Sequence, residues 1–315
     1  MEWSWFMKKH PAITSRDLGL EFAAICGKHF LGLEHLHYGY WPEGLPVNIN
    51  NLRTAQENYT SFLLSQIPAG IRTILDVGCG SGHTSKRLSD MGYKVACVSP
   101  SPVLSAKVRE LMGDACKIYE CKFEDLQTED KYDLVLFSES FQYMKVRRSL
   151  GKTLEILNPG GYLLVCDVFR KDVERDQKGV GGGHLLSKFY SQAAASSFEQ
   201  VKDIDITNQT MPNMDLLDDT LKNVVRPIID STINFIDGRH PLASKVIQWL
   251  YRKKIDKAYQ KYFYGNRASV DFVKLKYYRL LLYRYTCKVP AANPVVSNTC
   301  PDNKAARQTT SPAGI

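Results

Sequence analysis

The sequence predicts an α/β fold: a doubly wound, mostly parallel sheet of seven strands, with helices on both faces and a helical insertion before the last strand. Two observations predict this class. From residue 72 to residue 169, short apolar segments alternate with helical segments, a pattern typical of parallel strands joined by right-handed crossovers. One apolar segment, residues 74–77, ends in the glycine turn of residues 78–82, and a helix begins directly after it.

The composition is that of a globular protein with one main domain. The chain has 315 residues, of which 44% are hydrophobic and 23% are charged, enough for one sizeable core plus an elaboration. No apolar run approaches the roughly 18–20 residues of a membrane span. The N-terminal residues have neither an apolar signal core nor a cleavage site, so we expect a cytoplasmic location.

Cysteines, histidines and net charge restrict the classes of partner. The eight cysteines are scattered without a C-x-x-C pair, and several fall in predicted strands, which indicates reduced thiols. His35 and His37 lack a matching second pair of ligands, so no metal site is expected. The net charge of +8 permits an anionic partner, but no nucleic-acid motif accompanies it. We therefore expect a solvated basic surface and no nucleic acid.

Residues 1–70 are predicted to form an N-terminal helical and aromatic segment. Apolar side chains at helical spacing predict one helix over residues 12–31 and another over residues 50–67. Between them, residues 35–43 place aromatic side chains around a glycine and a proline, which is typical of an ordered loop rather than a linker. This segment is here named the aromatic loop.

Residues 71–211 are predicted to form the core. The predicted helices cover residues 82–91, 102–112, 145–157 and 185–195, and the predicted strands cover residues 72–78, 93–99, 116–121, 132–137, 162–169 and 198–206. The segment from residue 170 to residue 183 is charged and then glycine-rich, which is typical of a mobile loop.

The C-terminal part divides into three segments. Helical patterns at 214–236 and 243–264 predict a helical insertion, assigned to residues 212–265. Residues 266–287 are predicted to supply the last strand of the core. Residues 288–315 contain prolines, many small polar residues and few large apolar ones, so we expect a disordered tail.

The glycine turn predicts a nucleotide-type site. Unpaired N–H groups at the start of the following helix would point at a ligand that lies over the turn. A dinucleotide fingerprint requires a third glycine where this chain has His83, and an acid where it has Ser99, Pro100 and Ser101. A hydride-transferring enzyme is therefore disfavoured.

The segment Asp76-Val-Gly-Cys-Gly-Ser-Gly82 resembles motif I of the class I S-adenosylmethionine (SAM) dependent methyltransferases. The resemblance implies a Rossmann-like fold and SAM as the cofactor, with its methionine and ribose parts over the turn. The cofactor-binding residues that it implies here are Asp76, Gly78, Cys79, Gly80 and Gly82. Asp76 is a charged residue in an apolar strand, where its carboxylate needs hydrogen bonds from the turn or from the cofactor amine.

Three further stretches are similar to the tocopherol-type and cyclopropane-synthase branches of these methyltransferases. They imply cofactor contacts through hydroxyls and backbone groups after the second strand, through an adenine site after the third strand, and through the aromatic loop. The residues are Ser99, Pro100 and Ser101, then Phe123 and Glu124, and Tyr38. Phe123 would stack on the adenine or offer its backbone N–H, and Glu124 would accept from the adenine amino group. The aromatic loop would close over the cofactor; its alternative role is a plug over the edge of the sheet.

Residues 138–144, Ser-Glu-Ser-Phe-Gln-Tyr-Met, are similar to the tocopherol-type Glu-Ser-Gly-Glu-His-Met. Gln142 and Tyr143 replace the acid and histidine with which cyclopropane synthases hold a bicarbonate base, which argues against cyclopropane formation. Ser138 is expected at the cofactor, and Glu139 and Tyr143 are the expected catalytic residues on the acceptor side. The alternative is that Glu139 caps the next helix.

The helical insertion of residues 212–265 is predicted to be a substrate lid. Between residues 243 and 264, apolar side chains recur at steps of three and four, and Lys and Arg fill the opposite side. A lid would exclude water and cover an apolar or amphipathic acceptor; the alternative is a helix packed permanently on the sheet. The cationic side favours an acidic or lipid-like acceptor, or peripheral contact with an anionic membrane.

Together, these resemblances imply a SAM-dependent methyltransferase that acts on a small molecule. Methyl transfer needs mainly positioning and exclusion of water, so the missing acid and histidine do not argue against it. Two alternatives stay open: a SAM-binding regulator without turnover, and an enzyme that uses SAM for another reaction. The sequence distinguishes neither O, N, C and S acceptors nor the oligomeric state.

Overall fold

A computed structural model describes residues 27–173, 182–264 and 269–286. Most of the predicted helix over residues 12–31 and the predicted disordered tail of residues 288–315 lie outside the described residues, as does most of the loop before residue 182. Within the described residues, no helix is both long enough and apolar enough to cross a membrane.

The core is one sheet, as predicted, and the described residues form eight strands of it rather than seven. The strands are β1 Thr73–Val77, β2 Lys94–Val98, β3 Lys117–Tyr119, β4 Tyr132–Ser138, β5 Leu157–Arg170, β6 His184–Leu185, β7 Phe198–Asp205 and β8 Lys276–Tyr285. Their order is β3-β2-β1-β4-β5-β8-β7, with the two-residue β6 beside β5. Strands β1 to β5 are parallel, and β8 is antiparallel to both of its neighbours. The additional strand, β6, is too short to leave a sequence pattern.

Helices cover both faces of the sheet and form the insertion. They are α1 Leu52–Ser65, α2 His83–Asp90, α3 Pro102–Met112, α4 Val146–Ile156, α5 Leu186–Ala194, α6 Thr207–Thr210, α7 Pro212–Thr220, α8 Arg226–Arg239, α9 Pro241–Tyr262 and α10 Ser269–Leu275. Local signals explain several ends. The Ser101 side chain accepts from the N–H of Leu104 and caps α3, whose first residue is proline.

The strands are almost wholly apolar because both faces of the sheet are buried. Leu75 and Val77 of β1 lie in a cluster with Phe189 of α5 on one face. Ile74 lies on the other face, in a cluster with Leu63 of α1. The alternation of side chains along a strand thus supplies both cores from the same short segment.

The strand order reverses between β1 and β4, which pair with each other in parallel. In an open α/β sheet, such a switch point leaves a crevice at the carboxyl ends of the two strands. The loops that enter this crevice are the glycine turn after β1 and residues 138–140 at the end of β4. The fold therefore brings together the two motifs on which the sequence analysis depended.

The helical insertion does not follow the predicted alternative of a helix packed permanently on the sheet. Helix α9 does not pack on the sheet, since Leu242 is 79% exposed and Trp249 is 77% exposed. It packs on α8, where Ser244 donates to Asp237 and the Tyr259 hydroxyl donates to Asp230 at 2.8 Å.

The helix α10 was not predicted: residues 266–287 were assigned to the last strand alone. Its seven residues have mixed spacing, and the burial of Phe272 at 3% exposure shows which face packs.

Candidate active site

A cavity of about 470 Å³ lies at the switch point. Its walls come from the loops after β1, β2 and β4, from the aromatic loop, and from α10 and the start of β8. This volume falls in the range of about 300–1,000 Å³ that is usual for small-molecule sites. Eleven predicted site residues line it: Tyr38, Asp76, Gly78, Cys79, Gly80, Ser99, Pro100, Ser101, Ser138, Glu139 and Tyr143.

The glycine turn forms the floor beside β1. Gly78 has φ +76°, and a Cβ built there would lie 2.5 Å from the Cβ of Ser140, so only glycine fits between the two loops. Gly80 has φ +56°, and a Cβ there would meet only Leu36, at 3.8 Å. The missing side chain of Gly80 therefore leaves space inside the cavity for a ligand that contacts the backbone.

Asp76 lies at the base of the turn, at 2% exposure. The Ser85 hydroxyl donates to its Oδ2 at 2.5 Å. Burial raises the pKa of Asp76 to about 6, and the hydrogen bond from Ser85 opposes the shift. A cationic or N–H donor in the cavity would restore the ionised form, which suits Asp76 to hold an ammonium or hydroxyl group of a ligand.

Three predicted cofactor contacts do not line the cavity. A Cβ at Gly82 would lie 3.1 Å from Val108, so this glycine serves the approach of α2 to α3. The ring of Phe123 is buried edge-to-face against Phe137 at 5.2 Å, which excludes stacking on a ligand in this arrangement. Glu124 accepts from the N–H of Lys145 at 3.1 Å. An adenine contact through the backbone near these residues stays a prediction.

Glu139 occupies the most unusual backbone position of the site. Its φ is +54°, the one positive φ among the described residues other than glycine. Its Oε1 accepts from the N–H of Tyr38 at 2.8 Å and from the hydroxyl of Tyr278 at 2.6 Å. Burial raises the pKa of Glu139 to about 7, and these two hydrogen bonds oppose the shift. The carboxylate thus holds the aromatic loop and β8 against the end of β4, in place of the helix cap considered as the alternative.

A tyrosine network extends from Glu139 into the protein. The hydroxyl of Tyr278 lies 3.1 Å from that of Tyr59, which in turn lies 3.1 Å from the hydroxyl of Ser138. Both tyrosines are fully buried. Sequence reasoning missed this network, because Tyr278 is 139 positions from Glu139 and reads as one more aromatic residue in an apolar strand. The one sequence feature that could have indicated a role for Tyr278 is its hydroxyl group, which needs a hydrogen-bond partner at a buried position.

Three histidines also line the cavity: His35, His37 and His83. The ring centroid of His35 is 4.6 Å from that of His37 and 5.8 Å from that of His83. Burial lowers the pKa of His37 to about 3, so the ring is neutral. The Nδ1 atom of His37 is 2.8 Å from the carbonyl oxygen of Tyr38, and its Nε2 atom is 3.1 Å from the hydroxyl of Thr60. Within the part of the chain that the structure describes, no three His, Cys, Asp or Glu residues form a metal-binding group.

Lys276, at the start of β8, is the cation of the site and was not predicted. It is 2% exposed and lines the cavity near Phe272. Its ammonium group donates to the carbonyl oxygen of Gly182, and the described residues supply no ion pair to it. Burial lowers the pKa of Lys276 to about 8, and the charge of Arg170 acts in the same direction. A third buried carboxylate, Asp167, accepts from the N–H of Gln142 at 3.0 Å without lining the cavity.

The predicted lid does not line the cavity in this structure. No described residue of the range 212–264 is part of its wall. The insertion contacts the aromatic loop instead: Asn213 Oδ1 accepts from the N–H of Gly39 at 2.9 Å and from the indole N–H of Trp41 at 3.2 Å, and its amide donates to the carbonyl oxygen of Gly39 at 2.7 Å. The first turn of the insertion thereby fixes the loop that carries Tyr38.

Residues 75–165 match the family model described as a methyltransferase domain. Among curated proteins, this chain is 28% identical over 113 residues to the malonyl-[acyl-carrier protein] O-methyltransferase of Anoxybacillus flavithermus, a match that covers 35% of this chain and 44% of that protein. It is 30% identical over 106 residues to the ubiquinone biosynthesis O-methyltransferase of a Bradyrhizobium species, covering 32% and 42%. The chloroplastic tocopherol O-methyltransferase of Arabidopsis thaliana is 25% identical over 149 residues, covering 42% and 43%. The matches thus span less than half the length of these relatives.

Solved structures share the fold over most of the chain. The putative sarcosine dimethylglycine methyltransferase of Galdieria sulphuraria superposes with a TM-score of 0.61 at 15% identity, covering 84% of this chain and 98% of that one. The [4+2]-cyclase SpnF gives a TM-score of 0.58 at 20% identity, covering 88% and 98%. The geranyl diphosphate C-methyltransferase of Streptomyces coelicolor, in complex with S-adenosyl-L-homocysteine, gives 0.56 at 15% identity, covering 90% and 96%. At these identities, the likeness establishes a shared Rossmann-like fold.

Proposed function

We propose that this chain, whose residues 75–165 form a methyltransferase domain, transfers the methyl group of SAM to a small-molecule acceptor. The observation that carries the proposal is the glycine turn at the switch point, which leaves its backbone open to the cavity beside Asp76. The family match and the methyltransferases among the relatives support it.

The residues around the turn fit SAM. Gly80 provides room for a ligand against the backbone, and Asp76 provides a carboxylate for the amine of the methionine part. Ser99 and Ser101 provide hydroxyl groups after β2, where the ribose of a nucleotide-type ligand is held in this fold. When bound, SAM supplies an electrophilic methyl group on a sulfonium. We propose cofactor contacts as well for Tyr38, Gly78, Cys79, Pro100 and Ser138, with Gly82 in a supporting role.

The protein's own part in the reaction is to position the acceptor, exclude water and hold a proton. Glu139 lines the cavity, and its raised pKa leaves the carboxylate able to accept a proton near neutral pH. Tyr143 lines the cavity beside it and would orient the same group of the acceptor. The aromatic loop, fixed by Asn213 and Glu139, covers one side of the cavity and would limit the access of water.

The acceptor is proposed to be apolar or amphipathic, with an acidic group. Met144, Val168 and Phe272 contribute apolar side chains to the wall of the cavity. Lys276 places a buried ammonium in the same wall, and a buried cation without an ion pair is stabilised by an anionic ligand. A lipid-like acceptor with a carboxylate or phosphate would satisfy both features. Closure of residues 212–265 over this acceptor is part of the same proposal, as is a cytoplasmic location.

A second function is favoured by one comparison. The fold is shared with the [4+2]-cyclase SpnF, so the fold alone does not determine the reaction. An enzyme that uses SAM for another reaction, or a SAM-binding regulator, would retain the glycine turn and Asp76. Release of S-adenosyl-L-homocysteine from SAM in the presence of a cell extract separates methyl transfer from both.

Substitution of Gly80 by valine tests the cofactor site. Because Gly80 has a positive φ and faces the cavity, the valine side chain would occupy the ligand's space, and calorimetry should show at least about a hundredfold loss of SAM affinity. Gly151→Val is the matched control, since Gly151 lies on the exposed face of α4 with no atom within 4 Å of its Cβ position. Unchanged SAM affinity of Gly80→Val, with intact far-ultraviolet circular dichroism, would contradict the cofactor site.

A further inference from the structure

Helices α8 and α9 form an antiparallel pair, the α8–α9 hairpin, that projects from the rest of the protein. The two helices join at residues 239–241, and Arg226 at the start of α8 donates to the hydroxyl of Tyr264 at 3.0 Å, so both ends of the hairpin leave the body at one place. Within α9, Ser244 is buried, and it faces α8. Ile255, Ala258 and Tyr259 are partly buried, and the other residues of α9 whose side chains the structure describes are exposed.

The first half of α9 presents apolar side chains to solvent. Leu242, Val246, Trp249 and Leu250 follow the i, i+4, i+7, i+8 spacing of one helix face, and each is more than half exposed. Phe235, near the end of α8, is also exposed, at 66%. Soluble proteins seldom leave a contiguous apolar surface of this kind uncovered unless it binds a partner or a membrane.

The second half of α9 is basic. From residue 241 to residue 262, the chain has six Lys or Arg residues and one Asp. Arg252 lies 3.9 Å from Asp256, the one acid of the helix, whereas Lys253, Lys254 and Lys257 make no ion pair within the described part of the chain. The exposed apolar residues Leu242, Val246, Trp249 and Leu250 with Phe235 are here named the apolar tip. They are followed along α9 by a group of cations, here named the basic collar: Arg252, Lys253, Lys254 and Lys257.

We propose that the α8–α9 hairpin docks on an anionic lipid surface. The apolar tip would enter the boundary between headgroups and acyl chains, to the depth of roughly 5–10 Å that is usual for interfacial helices. The basic collar would then meet the lipid phosphates and carboxylates. Charge decides between occupants: a second copy of the hairpin would bring like charges together, whereas an anionic membrane complements both the apolar tip and the basic collar. The proposal does not depend on the methyl-transfer reaction.

Cosedimentation of the full chain with vesicles tests the proposal. We expect binding to vesicles of phosphatidylcholine with phosphatidylserine, and little binding to phosphatidylcholine alone. Each basic residue near such a surface contributes about fivefold in affinity, so Lys253→Gln with Lys254→Gln should weaken binding about twenty- to thirtyfold. Lys188→Gln, at an exposed lysine of α5, is the matched charge control and should leave binding within about twofold.

The apolar tip is tested separately. Trp249→Ser with Leu250→Ser should abolish vesicle binding, because it removes two exposed apolar side chains from the tip. Val103→Ser with Val201→Ser is the control, since both valines are exposed at 48% outside the hairpin. Equal binding to both vesicle types, or binding that survives the tip substitutions, would overturn the proposal. So would a concentration-dependent dimer that the tip substitutions dissociate without any vesicle binding by the parent chain.

Discussion

At the scale of single residues, the strained backbone of Glu139 is the most informative feature of the site. A positive φ is costly for a residue with a side chain, by about 1–3 kcal/mol, and such residues concentrate at functional sites. Here the strain aims the carboxylate at Tyr38 and Tyr278 and into the cavity. The sequence predicted Glu139 at this position, but neither its backbone conformation nor its partners.

Glu139→Gln is expected to reduce turnover with little effect on SAM affinity. If the carboxylate accepts a proton from the acceptor, the amide cannot replace it, and kcat should fall by about a hundredfold or more. The parent enzyme should gain activity as the pH rises through about 7, the pKa of Glu139, and the variant should lose this dependence. Glu110→Gln on the exposed face of α3 is the control. Full turnover by Glu139→Gln on an identified acceptor would show that the residue is structural.

The same variant should also change the pH dependence of stability. Burial raises the pKa of Glu139 from 4.5 to about 7, so the folded protein binds a proton that the unfolded chain has lost in this interval. The contribution of Glu139 to stability is therefore present below about pH 4.5 and is lost as the pH rises through about 7. Glutamine keeps an acceptor oxygen and no charge, so without ligands Glu139→Gln should be more stable than the parent at pH 8, by up to about 3 kcal/mol. Urea unfolding at pH 5 and pH 8 measures the difference; an equal difference at both pH values would contradict the raised pKa.

Lys276→Met is expected to weaken the binding of an acidic acceptor. Removing the buried partner of an anionic group typically costs enough to raise KM about thirtyfold or more. The KM for the methyl ester of the same acceptor should change much less, because the ester lacks the charge. Lys274→Met, on the exposed side of α10, is the control. A similar change for acid and ester would assign Lys276 to packing rather than to recognition.

At the scale of elements, the sequence predicted β1 to β5, β7 and β8 and the helices between them, because each has a strong local pattern. Strand β1 is apolar and stops at the glycine turn, and α3 begins with a capping serine and a proline. The helix α10 was missed because its seven residues have no clear period, and only the burial of Phe272 selects its inward face. The apolar stripe of α9 was recognised, but its spacing alone could not show whether the stripe faces the sheet or solvent.

Hydrogen exchange tests whether the insertion moves as a lid. If residues 212–264 close over the cavity, S-adenosyl-L-homocysteine with an acceptor should slow exchange along α9 toward the level of β5. If the hairpin serves only membrane docking, anionic vesicles should slow exchange there and the ligands should not. Strand β5, central in the sheet, is the internal reference. Exchange in α9 that is already as slow as in β5 without ligands would exclude a moving lid.

At the scale of the whole molecule, we expect the α8–α9 hairpin to be separable from the part of the chain that contains the sheet and the cavity. Its ends meet at Arg226 and Tyr264, and its exposed helices contribute little to the two cores of the sheet. Replacing residues 228–261 by a short Gly-Ser linker should therefore leave the melting temperature within a few degrees and SAM affinity within about threefold. The shortened chain should lose vesicle binding. A melting temperature lowered by more than about 10 °C would show that the hairpin stabilises the body.

The contact between Glu139 and Tyr278 has a consequence for how the protein matures during synthesis. The glycine turn and the end of β4 leave the ribosome early. Phe272 and Lys276, which line the cavity, and Tyr278, which donates to Glu139, lie near the end of the described chain. A nascent chain that stops before β8 has the turn without the completed cavity. Long-range pairing of this kind forms late, since its loop must close first. The affinity for SAM should thus arise only when the last strand has inserted between β5 and β7, so cofactor binding reports that synthesis of the core is complete.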